Sequence, residues 1–505
     1  TKSYIESDFG ASLQLGQRNM PSIKQEIAKG VFWIAVARYC GIFISLGITA
    51  ILARNVSPAA FGTMAVATVI TAFLDIFIDM GFGTAIIQFK DLTKRQINSI
   101  FMVANAIGLL LAVGMYYAAS LIADYYQDTT LINVCRCLCI PIFFGALNVV
   151  PNGMMMKAKR FRTVAIRTLS FQILCGSIAV IGALHGWGIY ALIVTPVVSS
   201  IGVFTVNFIN YPQRLTLDID FGAIRRVWSY SSFQFLFNFV NYFSRNLDKL
   251  IIGRYFSMAQ LGYYDKAYRL MQLPLQNITF VISPVLHPIL LSLQDDKKQL
   301  GEKNTKLVRT LSYISFPLGI LLYFSADNII DIIFGPDWNQ SIPIFQILAL
   351  SLPLQIILST SGSLFQAAGK TNHMFYVGLS CTLTTVAGFF IAALYFHTLV
   401  AMAWAWDITL MINFITCYTV MNHITFRTSL RKFVLDFIPQ IINTAVVTLV
   451  AYYLTGLIDI SNSLLALLYK TIAVAFPTFI MAAVLHQYNA LRLLKSVLSR
   501  LRPQQ

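Results

Sequence analysis

Residues 51–62 read ILARNVSPAAFG, and residues 251–262 read IIGRYFSMAQLG. Set side by side without a gap, they align Arg54 with Arg254, Ser57 with Ser257, Ala59 with Ala259 and Gly62 with Gly262. The register continues to Ala67 and Ala267. A phrase written twice, two hundred positions apart, points to an internal duplication; what is duplicated depends on the chain around each copy.

That chain is made for lipid. Of its 505 residues 57% are hydrophobic and only 11% charged, with a mean hydropathy of +0.68, which leaves too little polar surface to cover a soluble globule. Apolar windows of about 20 residues, the length that spans a bilayer as a helix, recur about fourteen times between positions 30 and 485. The strands of an outer-membrane barrel are about ten alternating residues each, so these windows predict an all-α polytopic membrane protein whose backbone hydrogen bonds close within each helix. The two copies of the repeat begin at the ends of the first and seventh windows. An offset of six spans preserves orientation, so the duplication predicts two parallel six-helix lobes related by an axis along the membrane normal, with two further helices. The expected divisions are an N-terminal segment 1–29, an N-lobe 30–209, a linker 210–228, a C-lobe 229–421, helices thirteen and fourteen within 422–485, and a basic tail 486–505.

The net charge of +16 is distributed by topology. One set of loops carries Lys90, Lys94 and Arg95, then Lys157, Lys159, Arg160 and Arg162, then Arg225 and Arg226, Lys297 and Lys298, and Arg427, Arg431 and Lys432. The alternate loops carry little beyond Arg54 and Arg254. The positive-inside rule then places both termini in the cytoplasm of a multi-pass inner-membrane protein. Anionic lipid headgroups account for the charge, and no nucleic acid is needed. Residues 1–19 are polar, lack the apolar core of a cleavable signal, and read as a segment outside the fold that precedes a natural start at Met20. The tail, with leucines interleaved among Arg492, Lys495, Arg500 and Arg502, reads as a short amphipathic helix on the inner leaflet.

Little in the sequence offers catalysis. All seven cysteines lie in apolar windows, and Cys135, Cys137 and Cys139 are two apart, which spreads them around a helix instead of gathering them on a metal. There is no HExxH, no Walker loop and no dinucleotide loop, and no loop is long enough to house an extramembrane catalytic domain. The chain therefore reads as a transporter with no cofactor and with a proton or sodium gradient as the candidate energy source.

The stretches LARNVSPAAFG, DMGFGTAIIQ (79–88), NLDKLIIGRYFSMAQLGYYDKAYRL (246–270) and IFGPDWNQSIPIFQIL (333–348) resemble the multidrug/oligosaccharidyl-lipid/polysaccharide (MOP) exporter superfamily. Within it they are similar to Wzx-type flippases, nearest to the colanic acid and teichuronic acid exporters. The resemblance covers nearly the whole chain from Gly30, and 246–270 is its most specific part. It implies a MATE-like pair of six-helix lobes around a central cavity lined by helices 1, 2, 7 and 8. It also implies movement of an undecaprenyl-diphosphate-linked oligosaccharide from inner to outer leaflet for polysaccharide synthesis, with the polymerase and chain-length machinery as partners.

The residues supply polar faces for such a cavity. On span seven Ser231, Gln234, Asn238, Asn241, Arg245 and Asp248 follow a helical spacing, and span eight answers with Lys266, Arg269, Gln272, Gln276, Thr279 and Ser283. Span two presents Thr68, Thr71, Asp75 and Asp79, and span one Arg38, Ser45 and Thr49. The candidate substrate-binding residues are Arg38, Asn238, Asn241, Arg245, Lys249, Lys266, Arg269 and Gln272, whose cationic excess suits a diphosphate and acidic sugars. Asp75 and Asp79, one turn apart, are the coupling-ion candidates. The plainer alternatives are snorkelling for Arg136, Arg167 and Lys470, ion pairs of Arg245 with Asp248 and Asp265 with Arg269, and a static network in which Asp79 caps the Gly81–Gly83 break while Asp75 pairs with Arg38. Two other function classes stay open: an efflux transporter of the same superfamily, which should have an acidic cavity, and a membrane-embedded polymerase or glycosyltransferase, which should have a large outer loop. Cysteines introduced at Gln127 and Asn339 are expected to react with an impermeant thiol reagent from outside the cell and one at Lys297 to be protected; the reverse pattern would overturn the orientation.

Overall fold

The computed structural model describes residues 23–89, 91–214, 219–291, 296–458 and 460–484, and their regular structure is helical throughout. In chain order the helices are α1 (Ile23–Asn55), α2 (Pro58–Asp79), α3 (Phe82–Gln88), α4 (Lys94–Tyr126), α5 (Thr130–Lys157), α6 (Phe161–Leu184), α7 (Ile189–Asn210) and α8 (Phe221–Tyr255). They continue with α9 (Met258–Leu291), α10 (Lys297–Phe324), α11 (Ala326–Ile333), α12 (Ser341–Leu358), α13 (Ser361–Ala367), α14 (Thr371–Ile391), α15 (Leu399–Thr419), α16 (Leu430–Leu457) and α17 (Ser463–Val484). Among the described residues twelve stretches are long and apolar enough to cross a membrane. Helices α8 and α9 fall outside that set but have 35 and 34 residues, about 50 Å at 1.5 Å per residue against a hydrocarbon core of about 30 Å. Their polar stripes lower their hydropathy without shortening them.

Two boundaries move. The first helix starts at Ile23, not at position 30, because IKQEIAKG is built of good helix formers that hydropathy alone overlooks. The linker is likewise shorter than 210–228, since α8 begins at Phe221. The basic tail 486–505 and positions 1–22 lie outside the described residues.

Helices α1–α7 pack chiefly on one another, as do α9, α10, α12, α14 and α15, while α16 and α17 form a hairpin against α10 and α11. Between the two bundles the main contact is α2 with α9, followed by α2 and α4 with α8. The repeated sequence builds this junction. Ser57 caps α2, its hydroxyl accepting from the Ala60 N–H at 3.4 Å with Pro58 in the first turn. Ser257 caps α9 in the same way, accepting from the Gln260 N–H at 3.2 Å while the Gln260 side chain accepts from the Ser257 N–H at 3.1 Å. Five residues on, the two glycines meet. A Cβ on Gly62 would lie 1.7 Å from the Met258 carbonyl oxygen, and one on Gly262 would lie 2.0 Å from the Pro58 carbonyl oxygen. The helices therefore cross backbone on backbone, the close approach that small residues permit in membranes.

Deeper in the junction, Phe73 and Phe77 of α2 interlock with Phe235, Phe239 and Phe243 of α8 at centroid distances of 5.2–6.1 Å, and the Tyr242 hydroxyl donates to the Val69 carbonyl. Helix α2 ends where Met80 and Gly81 adopt left-handed backbone (φ 37° and 77°), and the chain resumes as the short α3. Gly62→Val is expected to force α2 and α9 apart and raise the labelling of a cysteine at the buried position Leu261 several-fold, whereas Gly47→Val, with nothing within 4 Å of its Cβ, should leave that labelling unchanged.

Candidate functional site

The helical spacing of α8 and α9, antiparallel neighbours joined by the short turn before Met258, gathers charge around one carboxylate. Asp265 places Oδ1 2.8 Å from Lys249 Nζ, and Oδ2 3.4 Å from Arg269 Nε and 3.8 Å from Lys266 Nζ. Asp248 is also buried; its Oδ2 accepts from the Tyr264 hydroxyl at 3.1 Å and its Oδ1 from the Lys249 N–H at 2.8 Å. Gln272 donates to the Tyr268 hydroxyl at 2.9 Å, and the Lys249 ammonium stands 5.4 Å from the centre of the same ring. Arg245 lies about one turn deeper and is exposed. Three cations thus share the carboxylate of Asp265, and Arg245 adds a fourth positive charge to this stretch of α8. The Asp265 side chain is 4% exposed but that of Arg269 is 61% exposed, so the cluster has a buried carboxylate and an accessible guanidinium.

On the other bundle Arg38 reaches across to α9. Its guanidinium donates to the Gln276 carbonyl at 3.1 Å and to Asn277 Oδ1 at 3.4 Å, and lies 4.2 Å over the Phe280 ring. These contacts, and not Asp75, engage Arg38. Asp79 does cap the helix break, accepting from the Gly83 N–H at 3.3 Å. Asp75 is exposed one turn away on the same face of α2. The side chains of Asn238 and Asn241 lie outside the described residues.

The expected pairs resolve unevenly. Asp265 and Arg269 do pair, but as part of a four-membered cluster; Asp248 turns to Tyr264 and not to an arginine. Arg167 does not snorkel. Its guanidinium points inward to Asn207 and to Asn152 (3.5 Å), with Asn207 donating to Asn148 at 2.7 Å. Three neutral amides on α5 and α7 offer more hydrogen-bonding oxygen than the helix end does. Lys470 is tied to Asp327 at 2.9 Å, and Arg136 lies over the Tyr116 ring at 4.9 Å.

A second set of residues, of which sequence reasoning singled out only the two repeat arginines, closes the junction at the Arg54 end. The Trp338 indole is fully buried; its N–H donates to the Ala53 carbonyl at 2.9 Å, and Phe61, Tyr263 and Phe334 surround it at 5.3–5.7 Å. Arg54 donates to the carbonyls of Ile332 (2.9 Å) and Asp331 (3.3 Å) at the C-terminus of α11, where a cation is favoured. Its repeat partner Arg254 lies over the Tyr125 ring of α4 at 5.0 Å. Each repeat arginine therefore clasps the opposite bundle. The signal was present in the sequence as the two arginines that break the charge bias and as the tryptophan within IFGPDWNQ. Because Asp265 is the hub of a buried charge cluster, Asp265→Asn is expected to cost about 3–5 kcal/mol, read as a marked fall in the melting temperature of the detergent-solubilised protein; an unchanged melting temperature would remove Asp265 from that role.

Comparison with known proteins places this geometry. The chain is 27% identical over 398 residues to the teichuronic acid biosynthesis protein TuaB of Bacillus subtilis (strain 168), covering 78% of this chain and 82% of that one. It is 24% identical over 452 residues to the lipopolysaccharide biosynthesis protein WzxC of Escherichia coli (strain K12), covering 86% and 89%. Its fold is similar to that of the lipid II flippase MurJ in an inward closed conformation, with a TM-score of 0.73 at 17% identity over 90% of this chain and 99% of that one. Residues 51–343, more than half of the chain, match the family described as polysaccharide biosynthesis protein, and the chain belongs to that family.

Proposed function

We propose that this protein is a flippase that moves a lipid-linked oligosaccharide across the membrane by alternating access between its two bundles. The observation that carries the reading is the cluster on α8 and α9, where three cations share the single carboxylate of Asp265 and two arginines, Arg245 and Arg269, are exposed. A diphosphate with acidic sugars fits that imbalance, because the guanidinium fork binds phosphate oxygens in pairs. The reading extends to an undecaprenyl-diphosphate carrier, to the polymerase and chain-length machinery as partners, and to an orientation with the Arg54 end outward and both termini in the cytoplasm. A cationic drug would be repelled by the same cluster, which disfavours efflux. The turns at the Arg54 end, such as 56–57, 127–129 and 397–398, are too short to carry a polymerase acceptor site.

For energy input, Asp75 and Asp79 remain the proposed coupling carboxylates on α2, with Asp75 free to face solvent and Asp79 already holding the helix break. The ion would have to bind the two access states differently to bias them.

In a strain lacking the protein, lipid-linked repeat units are expected to accumulate on the inner leaflet and the wild-type gene to clear them. Arg245→Ala and Arg269→Ala should fail to do so at near-normal membrane abundance, with Lys at either position restoring part of the activity. In the same assay Asp75→Asn should lose dependence on the proton or sodium gradient. Full clearance by both alanine variants would refute the anion site.

A further inference from the structure

We propose that Asp265 stands in for the substrate's phosphate while the site is empty, and that Lys266 relays the arrival of the real anion to the junction at the Arg54 end through its contact with Phe61. This rests on the reading of the α8–α9 cluster as an anion site.

Asp265 is shared unequally, with Lys249 at 2.8 Å, Arg269 at 3.4 Å and Lys266 at 3.8 Å. Lys266 is therefore the least firmly held of the three cations. Its ammonium has a second contact, the ring of Phe61 at 4.2 Å, and Phe61 belongs to α2 of the other bundle. Phe61 stands edge-on to Trp338 at 5.3 Å, and Trp338 donates to Ala53 of α1. A continuous series of contacts thus runs from the exposed Arg269 through Asp265, Lys266 and Phe61 to the tryptophan that pins the two bundles together.

Charge sets the direction of the relay. In the empty site one carboxylate serves three cations, and the π face of Phe61 supplies what Lys266 lacks. A diphosphate meets Arg269 first and brings more negative charge than Asp265 has, so it takes over Arg269 and Lys249. Asp265 is then left to Lys266 alone and draws the ammonium off the ring. Loss of a water-shielded cation–π contact changes the closed-to-open ratio at that end on the order of tenfold. An empty protein therefore holds the junction shut, and a loaded one loosens it.

The test uses the full-length protein in lipid nanodiscs with bioorthogonal spin labels at Gln127 and Asn339, and inorganic pyrophosphate as the probe. Pyrophosphate should shift the wild-type distance distribution outward. Phe61→Leu should bind pyrophosphate within about threefold of wild type by calorimetry, yet already show the longer distances without it and fail to respond further; Phe61→Trp should keep the response. If Phe61→Leu does not fold, Lys266→Met carries the same expectation for the distances. A wild-type response in either Phe61→Leu or Lys266→Met, or pyrophosphate binding to the wild type without any shift, would overturn the relay alone. Failure of the wild type to bind pyrophosphate would overturn the anion-site reading and the relay with it.

Discussion

Two helix backbones approach this closely only where the facing position lacks a side chain, and Gly62 against Met258 with Gly262 against Pro58 is such a place. The serine caps set it up, since Ser57 and Ser257 start their helices five residues before each glycine and so bring both to the crossing at the same height. The residues one step beyond, Thr63 and Tyr263, are tied to the turns of their own bundles, Thr63 by its hydroxyl to Asp128 at 2.6 Å and Tyr263 by its carbonyl to Ser341 at 3.0 Å. The symmetry then breaks. Position 61 is a phenylalanine that meets Lys266 and Trp338, and its counterpart Leu261 has no aromatic ring to offer a cation.

Much of this is legible in the sequence. The duplication, the helical class and the polar faces of α8 and α9 follow from spacing, because residues three and four apart must share a helix face. The hub at Asp265 was half legible. Spacing pairs it with Arg269, but the approach of Lys249 depends on how α8 lies against α9, which no local pattern encodes. The tryptophan latch was not legible, since Trp338 is one apolar residue in a loop and its partner carbonyl lies 285 positions away. Arg167 misled for a related reason: a basic residue near a helix end fits snorkelling until the two asparagines on other helices that accept from it are known.

The two bundles handle buried positive charge differently. Arg167 donates through one guanidinium nitrogen to the amides of Asn207 and Asn152, which are neutral and leave its charge uncompensated. The α8–α9 cluster supplies carboxylates but too few of them. Neutral dipoles fix a guanidinium in place, while a shared and insufficient counter-ion leaves it able to exchange partners.

The break after Asp79 has a mechanical meaning. Helix α2 is about 33 Å long by its 22 residues, and the left-handed pair Met80–Gly81 separates it from α3, which packs against α5 and α8. A continuous rod would transmit any tilt at the glycine crossing to the loop at its far end. With the joint in place, a tilt of the long arm need not be passed on to the short one, because the two meet only through the break at which Asp79 holds the Gly83 amide. The break thus lies beside the acidic residues of the helix, with Asp79 at its last position and Asp75 one turn before it.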